Sequence, residues 1–150
     1  MTKLLIFVIL IFADLISKFF IKNNLTLDQF IFINDFIDIV YVKNYGVSFG
    51  LFSGVLSYWV FILIALIIVL FVIYLMLISK NKFEKNAYFL IIIGALANIL
   101  DRAINGYVVD FISLHYNNYF WPSFNLADIY ITIGIIMLLV SFFIESKNDK

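Results

Sequence analysis

The 150-residue sequence has no cysteine, one histidine, His115, one proline, Pro122, and few charges, 13% in all. Without cysteine there is no disulfide framework, no thiol nucleophile and no thiolate metal site. A lone histidine excludes His-Glu-x-x-His zinc chemistry and multi-histidine centres, and no metal or other cofactor is expected. His115 itself reads as a solvated loop residue. Gly-x-Ser-x-Gly is missing, and Ser17 points to a different helix face from Lys18, so a serine nucleophile is poorly supported. Ten acidic and ten basic residues cancel, which argues against nucleic acid, a partner that demands a basic face. No repeat, low-complexity tract or Pro/Gly-rich linker interrupts the chain, so residues 1–150 read as a single domain.

Apolar residues, at 65% of the chain, far exceed the roughly half found in soluble domains. A water-soluble core is thereby excluded. A membrane-crossing helix needs about 20 apolar residues, and four stretches supply them, approximately Lys3–Lys22, Ser57–Ser79, Asn86–Ile104 and Leu126–Ile144. An even number of spans puts both termini on one side. That side carries Lys3, Lys80, Lys82, Lys85, Lys147 and Lys150, against Lys22, Lys43 and Arg102 on the other, which marks it as cytoplasmic. The first stretch is no cleaved secretory signal, because Asp14 and Lys18 break its apolar run and no small-residue cleavage site follows. Residues 23–56 and 105–125 are the longer segments, both facing outward. Within the first, Phe30 to Val42 is rich in Ile, Phe, Val and Tyr and predicts one or two strands at the membrane surface. The fold class expected is an all-α membrane protein of four transmembrane helices, with a small outward-facing β-sheet between helices 1 and 2.

Charges inside spans cost several kcal/mol on even the lenient insertion scales and mark functional sites by default. Asp14 and Lys18, four apart, share a helix face and can neutralise each other while pinning the first helix to its neighbours. Asn98, Asp101 and Arg102 fall at i, i+3 and i+4, a polar face near the outward end of the third span. Asn98 has no place on a lipid-facing surface, and the forked donors of Arg102 suit a carbonyl or a head group. Asp110, in Tyr107-Val-Val-Asp110-Phe111, lies just beyond that span, and Asp128 lies in the first turn of the fourth. An acid in a first helical turn also complements the helix dipole. Two acids near one membrane surface, each set among large apolar side chains, favour a shared site. Gly46, Gly50 and Gly54 have helix-dimer spacing but lie in an outward segment, where turns account for them better.

Five blocks along almost the whole chain resemble lipoprotein signal peptidase, the signal peptidase II family. They read Asp14-Leu-Ile-Ser-Lys18, Asn44-Tyr-Gly46-Val-Ser-Phe49-Gly50, Gly94-Ala-Leu-Ala-Asn98-Ile-Leu-Asp101-Arg102, Gly106-Tyr-Val-Val-Asp110-Phe111-Ile112 and Phe124-Asn125-Leu-Ala127-Asp128. Each block alone is weak, and five in order form a strong signal. Val47-Ser48 stands where the family tends to carry alanines, and Ala97 where it often has glycine. The resemblance implies an aspartic endopeptidase with Asp110 and Asp128 as its catalytic pair. It further implies that Asn98 and Asn125 orient the pair, that Asn44 and Arg102 hold substrate, and that Asp14, Lys18 and Asp101 are structural. The implied substrate is a diacylglyceryl-modified prolipoprotein, cut just before the lipid-bearing cysteine, its acyl chains lying among membrane lipid in the outer leaflet. The enzyme is expected to be a monomer in the bacterial cytoplasmic (inner) membrane.

Two carboxylates in contact share a proton near neutral pH, so one serves as base toward water while the other, protonated, supports the scissile carbonyl. A small proton or ion transporter is the main alternative, since intramembrane Asp, Lys and Arg also build relays. A relay strings its acids across the bilayer, whereas Asp101, Asp110 and Asp128 gather at one surface. A non-enzymatic membrane subunit that uses its charges at a partner interface is the third reading.

Overall fold

The structure, a computed structural model, describes residues 2–46, 56–117 and 119–148. Val47, Ser48, Gly50 and Gly54 lie outside these residues. Helices α1 (Thr2–Asn24), α2 (Tyr58–Ile78), α3 (Lys82–Asn105) and α4 (Leu126–Asn148) are each long and apolar enough to cross a membrane. Their outer surfaces are apolar and bare, as at Phe19, Leu70, Ile104 and Phe142. Such surfaces are stable facing acyl chains and costly facing water.

Lipid-embedded helices gain little from hydrophobic exclusion, so their contacts depend on close approach at small residues. A Cβ on Gly94 would collide with the Ala127 backbone carbonyl, and one on Gly134 would lie 2.7 Å from the Ala87 carbonyl. Ala87, Ala97 and Ala127 are fully buried. Helices α3 and α4 therefore run nearly backbone to backbone, and the same contact brings Asn98 and Asp128 face to face.

A four-stranded antiparallel sheet lies at one end of the bundle, in the order β1 (Phe30–Asn34), β2 (Ile37–Asn44), β3 (Val108–Tyr116), β4 (Tyr119–Phe120). The Asn34 side chain accepts from the Phe36 and Ile37 amides and sets the tight turn between β1 and β2. The sheet does not come solely from the segment between α1 and α2. Its β3 and β4 arise between α3 and α4, in a β-branched and aromatic run, Val108-Val-Asp-Phe-Ile, that also favours a strand. His115 is accordingly a strand residue rather than a solvated loop residue, with Nε2 3.2 Å from Asp38 Oδ2 on the neighbouring strand. Tyr41, Tyr107 and Val109 pack onto Ile21 and Leu25 and seat the sheet on the end of α1.

Candidate active site

Three local devices aim side chains at the point where the sheet meets the bundle. The first is the end of α3, closed by Gly106 in the left-handed conformation (φ 78°), whose N–H donates to the Arg102 carbonyl at 2.8 Å. The chain thus turns straight from α3 into β3. The second is a bulge, since Ile39 pairs with Ile112 but Val42 pairs with Asp110, leaving one extra residue on β2. Beyond it Asn44, opposite Val108, lies diagonal to Asp110 on the same face, and Asn44 Nδ2 donates to Asp110 Oδ2 at 2.9 Å.

The third device is the start of α4. Asn125 Oδ1 accepts from the Asp128 amide at 3.0 Å, while Asp128 Oδ2 accepts from the Asn125 amide at 3.2 Å. This is a capping box with Asn and Asp in the two reciprocal positions. The side-chain NH2 of Asn125 is not used by the cap, and its Nδ2 reaches Asp110 Oδ1 at 2.7 Å. One fully buried asparagine therefore holds both carboxyl-bearing residues. Asp128 takes its second donor from Asn98, at 2.8 Å. Burial first, and then the negative charge of Asp128, push the Asp110 carboxyl up to about 7, against the pull of its two asparagine donors and of Lys18.

Around this core lies a second layer of buried charge. Lys18 Nζ is 2.7 Å from Asp14 Oδ2 and 3.5 Å from Asp101 Oδ2, and donates to Asn98 Oδ1 at 2.7 Å. Asp14 reaches across the sequence to accept the Ala127 amide at 2.9 Å, satisfying a first-turn N–H of α4. Asp101 accepts from the Val109 amide at 2.8 Å and from Asn105 at 2.7 Å, fixing the start of β3. Arg102 donates to the Gly46 carbonyl and lies over the Phe61 ring, with its buried Nε unpartnered among the described residues. Ser17 Oγ donates to the Ala13 carbonyl within its own helix and takes no part in the site.

All nine residues singled out in the sequence thus fall in one connected network at the sheet end of the bundle. What sequence reasoning did not reach is the link from Lys18 to Asn98 and from Asp14 to Ala127, contacts 80 and 113 residues apart in the chain. No local pattern signals either.

A family model described as signal peptidase (SPase) II matches residues 6–144. The chain belongs to the signal peptidase II family. A lipoprotein signal peptidase of Thermodesulfovibrio yellowstonii is 43% identical over 138 residues, covering 92% of this chain and 91% of that protein. Another, from Blochmanniella pennsylvanica, is 38% identical over 147 residues, covering 95% and 89%. Among solved structures, one bacterial membrane enzyme superposes with a TM-score of 0.89 at 32% identity, covering 99% of this chain and 92% of the other. A second gives 0.80 at the same identity, covering 94% and 92%. Membership makes this chain a multi-pass bacterial membrane protease, and the signal peptidase II fold is four apolar helices with a small antiparallel sheet at one end.

Proposed function

We propose that the protein removes signal peptides from diacylglyceryl-modified prolipoproteins by an aspartic mechanism, with Asp110 and Asp128 as the catalytic pair. The observation that carries this reading is Asn125, which hydrogen-bonds Asp110 through its side chain and Asp128 through both its side chain and its amide. Each carboxyl group receives two N–H donors, from Asn44 and Asn125 on Asp110 and from Asn98 and Asn125 on Asp128. Each oxygen keeps a further lone pair, on which the pair can hold one proton and a water. With the carboxyl of Asp110 pushed up to about 7, the pair retains that proton close to neutral pH.

The ionised partner takes a proton from water as the water oxygen bonds to the scissile carbonyl carbon. The protonated partner hydrogen-bonds the developing oxyanion, and the proton gained by the base passes to the leaving amine as the C–N bond breaks. Neither step needs a covalent intermediate. Arg102, with a buried Nε left over, is suited to a substrate carbonyl near the lipid-bearing residue. The scissile bond lies before the lipid-modified cysteine, whose acyl chains rest in the outer leaflet against the apolar helix surfaces. The sheet then faces outward and both termini face the cytoplasm.

Purified Asp110→Asn and Asp128→Asn variants are expected to stay folded and to lose cleavage of diacylglyceryl-modified prolipoprotein by on the order of a thousandfold. The unmodified precursor serves as the control and is expected to be left uncut by the parent protein. Near-parental turnover by either variant overturns the catalytic pair, and equal cleavage of both precursors overturns the substrate class.

A further inference from the structure

Lys18 is 2% exposed within a membrane-spanning helix, and a charge there demands more explanation than pairing with Asp14 one turn away. Its ammonium has three N–H donors and no acceptor. Three acceptors surround it, Asp14 Oδ2 from its own helix and Asp101 Oδ2 and Asn98 Oδ1 from α3. Because lysine can only donate, the atom of Asn98 that faces it must be the carbonyl oxygen. The amide plane of Asn98 is fixed by that contact, and its NH2 is left pointing the opposite way. There it meets Asp128 Oδ1 at 2.8 Å.

Two acceptors facing each other repel, so an Asn98 amide not held from its other side could turn its oxygen toward Asp128, or swing away, and lose this contact. Nothing else among the described residues hydrogen-bonds the Asn98 carbonyl oxygen. We infer that Lys18 is a positioning residue of the reaction, acting through the Asn98 amide to hold one oxygen of Asp128 while the Asn125 amide holds the other. This rests on the reading of Asp110 and Asp128 as the catalytic pair. Asp14 and Asp101 then balance the ammonium charge that this positioning needs. Each also anchors a strand or helix start that carries a carboxyl group, Asp14 through the Ala127 amide and Asp101 through the Val109 amide. The positive charge of Lys18 further acts on the pair itself, opposing the upward push on Asp110.

The test is a cycle of variants on the purified full-length protein, with cleavage of diacylglyceryl-modified prolipoprotein followed across pH. Lys18→Met is made together with Asp14→Asn so that the number of buried charges stays balanced, and Asn98→Leu is made alone and in that background. The charge-balanced variant is expected to lose at least tenfold in kcat with KM changed less than threefold. Because Asp14→Asn removes an opposing charge, the pH dependence is read in Lys18→Met alone, where loss of the cation should move the acidic limb of the kcat profile to higher pH. Asn98→Leu is expected to show a comparable kcat loss, and the combined variant no more than about a threefold further loss, since both act on one amide. A fully multiplicative combined loss, or an unchanged kcat and pH profile in the Lys18 variant, overturns the inference. Should the Lys18 variant not fold, Asn98→Leu still decides, because parental kcat in that protein leaves Lys18 nothing to act through. Failure of the catalytic pair itself reads differently, as turnover surviving in Asp110→Asn or Asp128→Asn whatever Lys18 does.

Discussion

Asn125 is the residue whose importance is hardest to see from its neighbours in sequence, because an asparagine before a helix is an ordinary cap. Its capping box uses the side-chain oxygen and the backbone amide, which leaves the NH2 for Asp110. The two acids were legible as a pair from their common depth and apolar flanks, and Asn98 from its place on the polar face of the third span, while Asn44 and Asn125 entered only through family resemblance. The physical reason is that both lie outside the membrane-spanning helices, where an uncharged amide breaks no rule that a sequence reader can apply. Asp110 also leaves a thermodynamic trace. In an unfolded chain it titrates near 3.9, whereas in the fold burial and Asp128 hold it at about 7. Between those values the folded protein keeps a proton that the unfolded chain has lost, so this group lowers stability progressively as pH rises across the interval and adds a constant penalty above it. The thermal midpoint in detergent is expected to fall from about pH 4 to about pH 7, and Asp110→Asn is expected to flatten that part of the curve. An unaltered slope in Asp110→Asn would assign the titration to another group.

Among elements, the four helices were evident because each apolar run is long enough to satisfy its own backbone hydrogen bonds in lipid. The sheet was only half evident. Phe30 to Val42 announced β1 and β2, but in Val108 to Tyr116 the polar residues Asp110, Ser113 and His115 interrupt the apolar run and mask its β character. Partners for β3 come from residues about 70 positions earlier in the chain, a pairing that no short window contains. How α3 meets α4 was likewise hidden, since the contact is made by a residue with no side chain. Gly94→Leu would force Ala127 and Ile131 outward and draw Asn98 away from Asp128. Both the thermal midpoint and kcat should drop. Gly106→Ala is the contrasting case, because its Cβ would meet open space and only the left-handed φ of 78° is strained. It should lower stability by about 1 kcal/mol with kcat nearly preserved. Equal effects of the two substitutions on kcat would mean that the α3–α4 approach does not set the site.

For the molecule as a whole, polarity runs along the helix axes. One end has the sheet, the acids and the largely exposed aromatic residues Tyr116, Tyr119, Phe120 and Trp121. The other end joins α2 to α3 and α4 through Asn81, which caps α3 by accepting from the Phe83 amide and donates to Ser141 and Glu145. Lysines crowd this second end, so the proposed topology, with this end in the cytoplasm, agrees with the positive-inside rule. A prolipoprotein delivers its lipid-bearing residue at the outer leaflet, so an inverted topology would leave the acids facing the wrong compartment. The absence of cysteine from the sequence makes this directly measurable on the purified labelled protein, since one introduced residue is the only thiol of this chain. Tyr119, 82% exposed on the sheet, and Lys82, exposed at the start of α3, are separated by the full length of the bundle. In intact spheroplasts a membrane-impermeant maleimide should label Tyr119→Cys at once and Lys82→Cys only after permeabilisation. The reverse order would put the proposed catalytic pair on the cytoplasmic side and remove its access to the proposed substrate, whatever the activity of the protein in detergent.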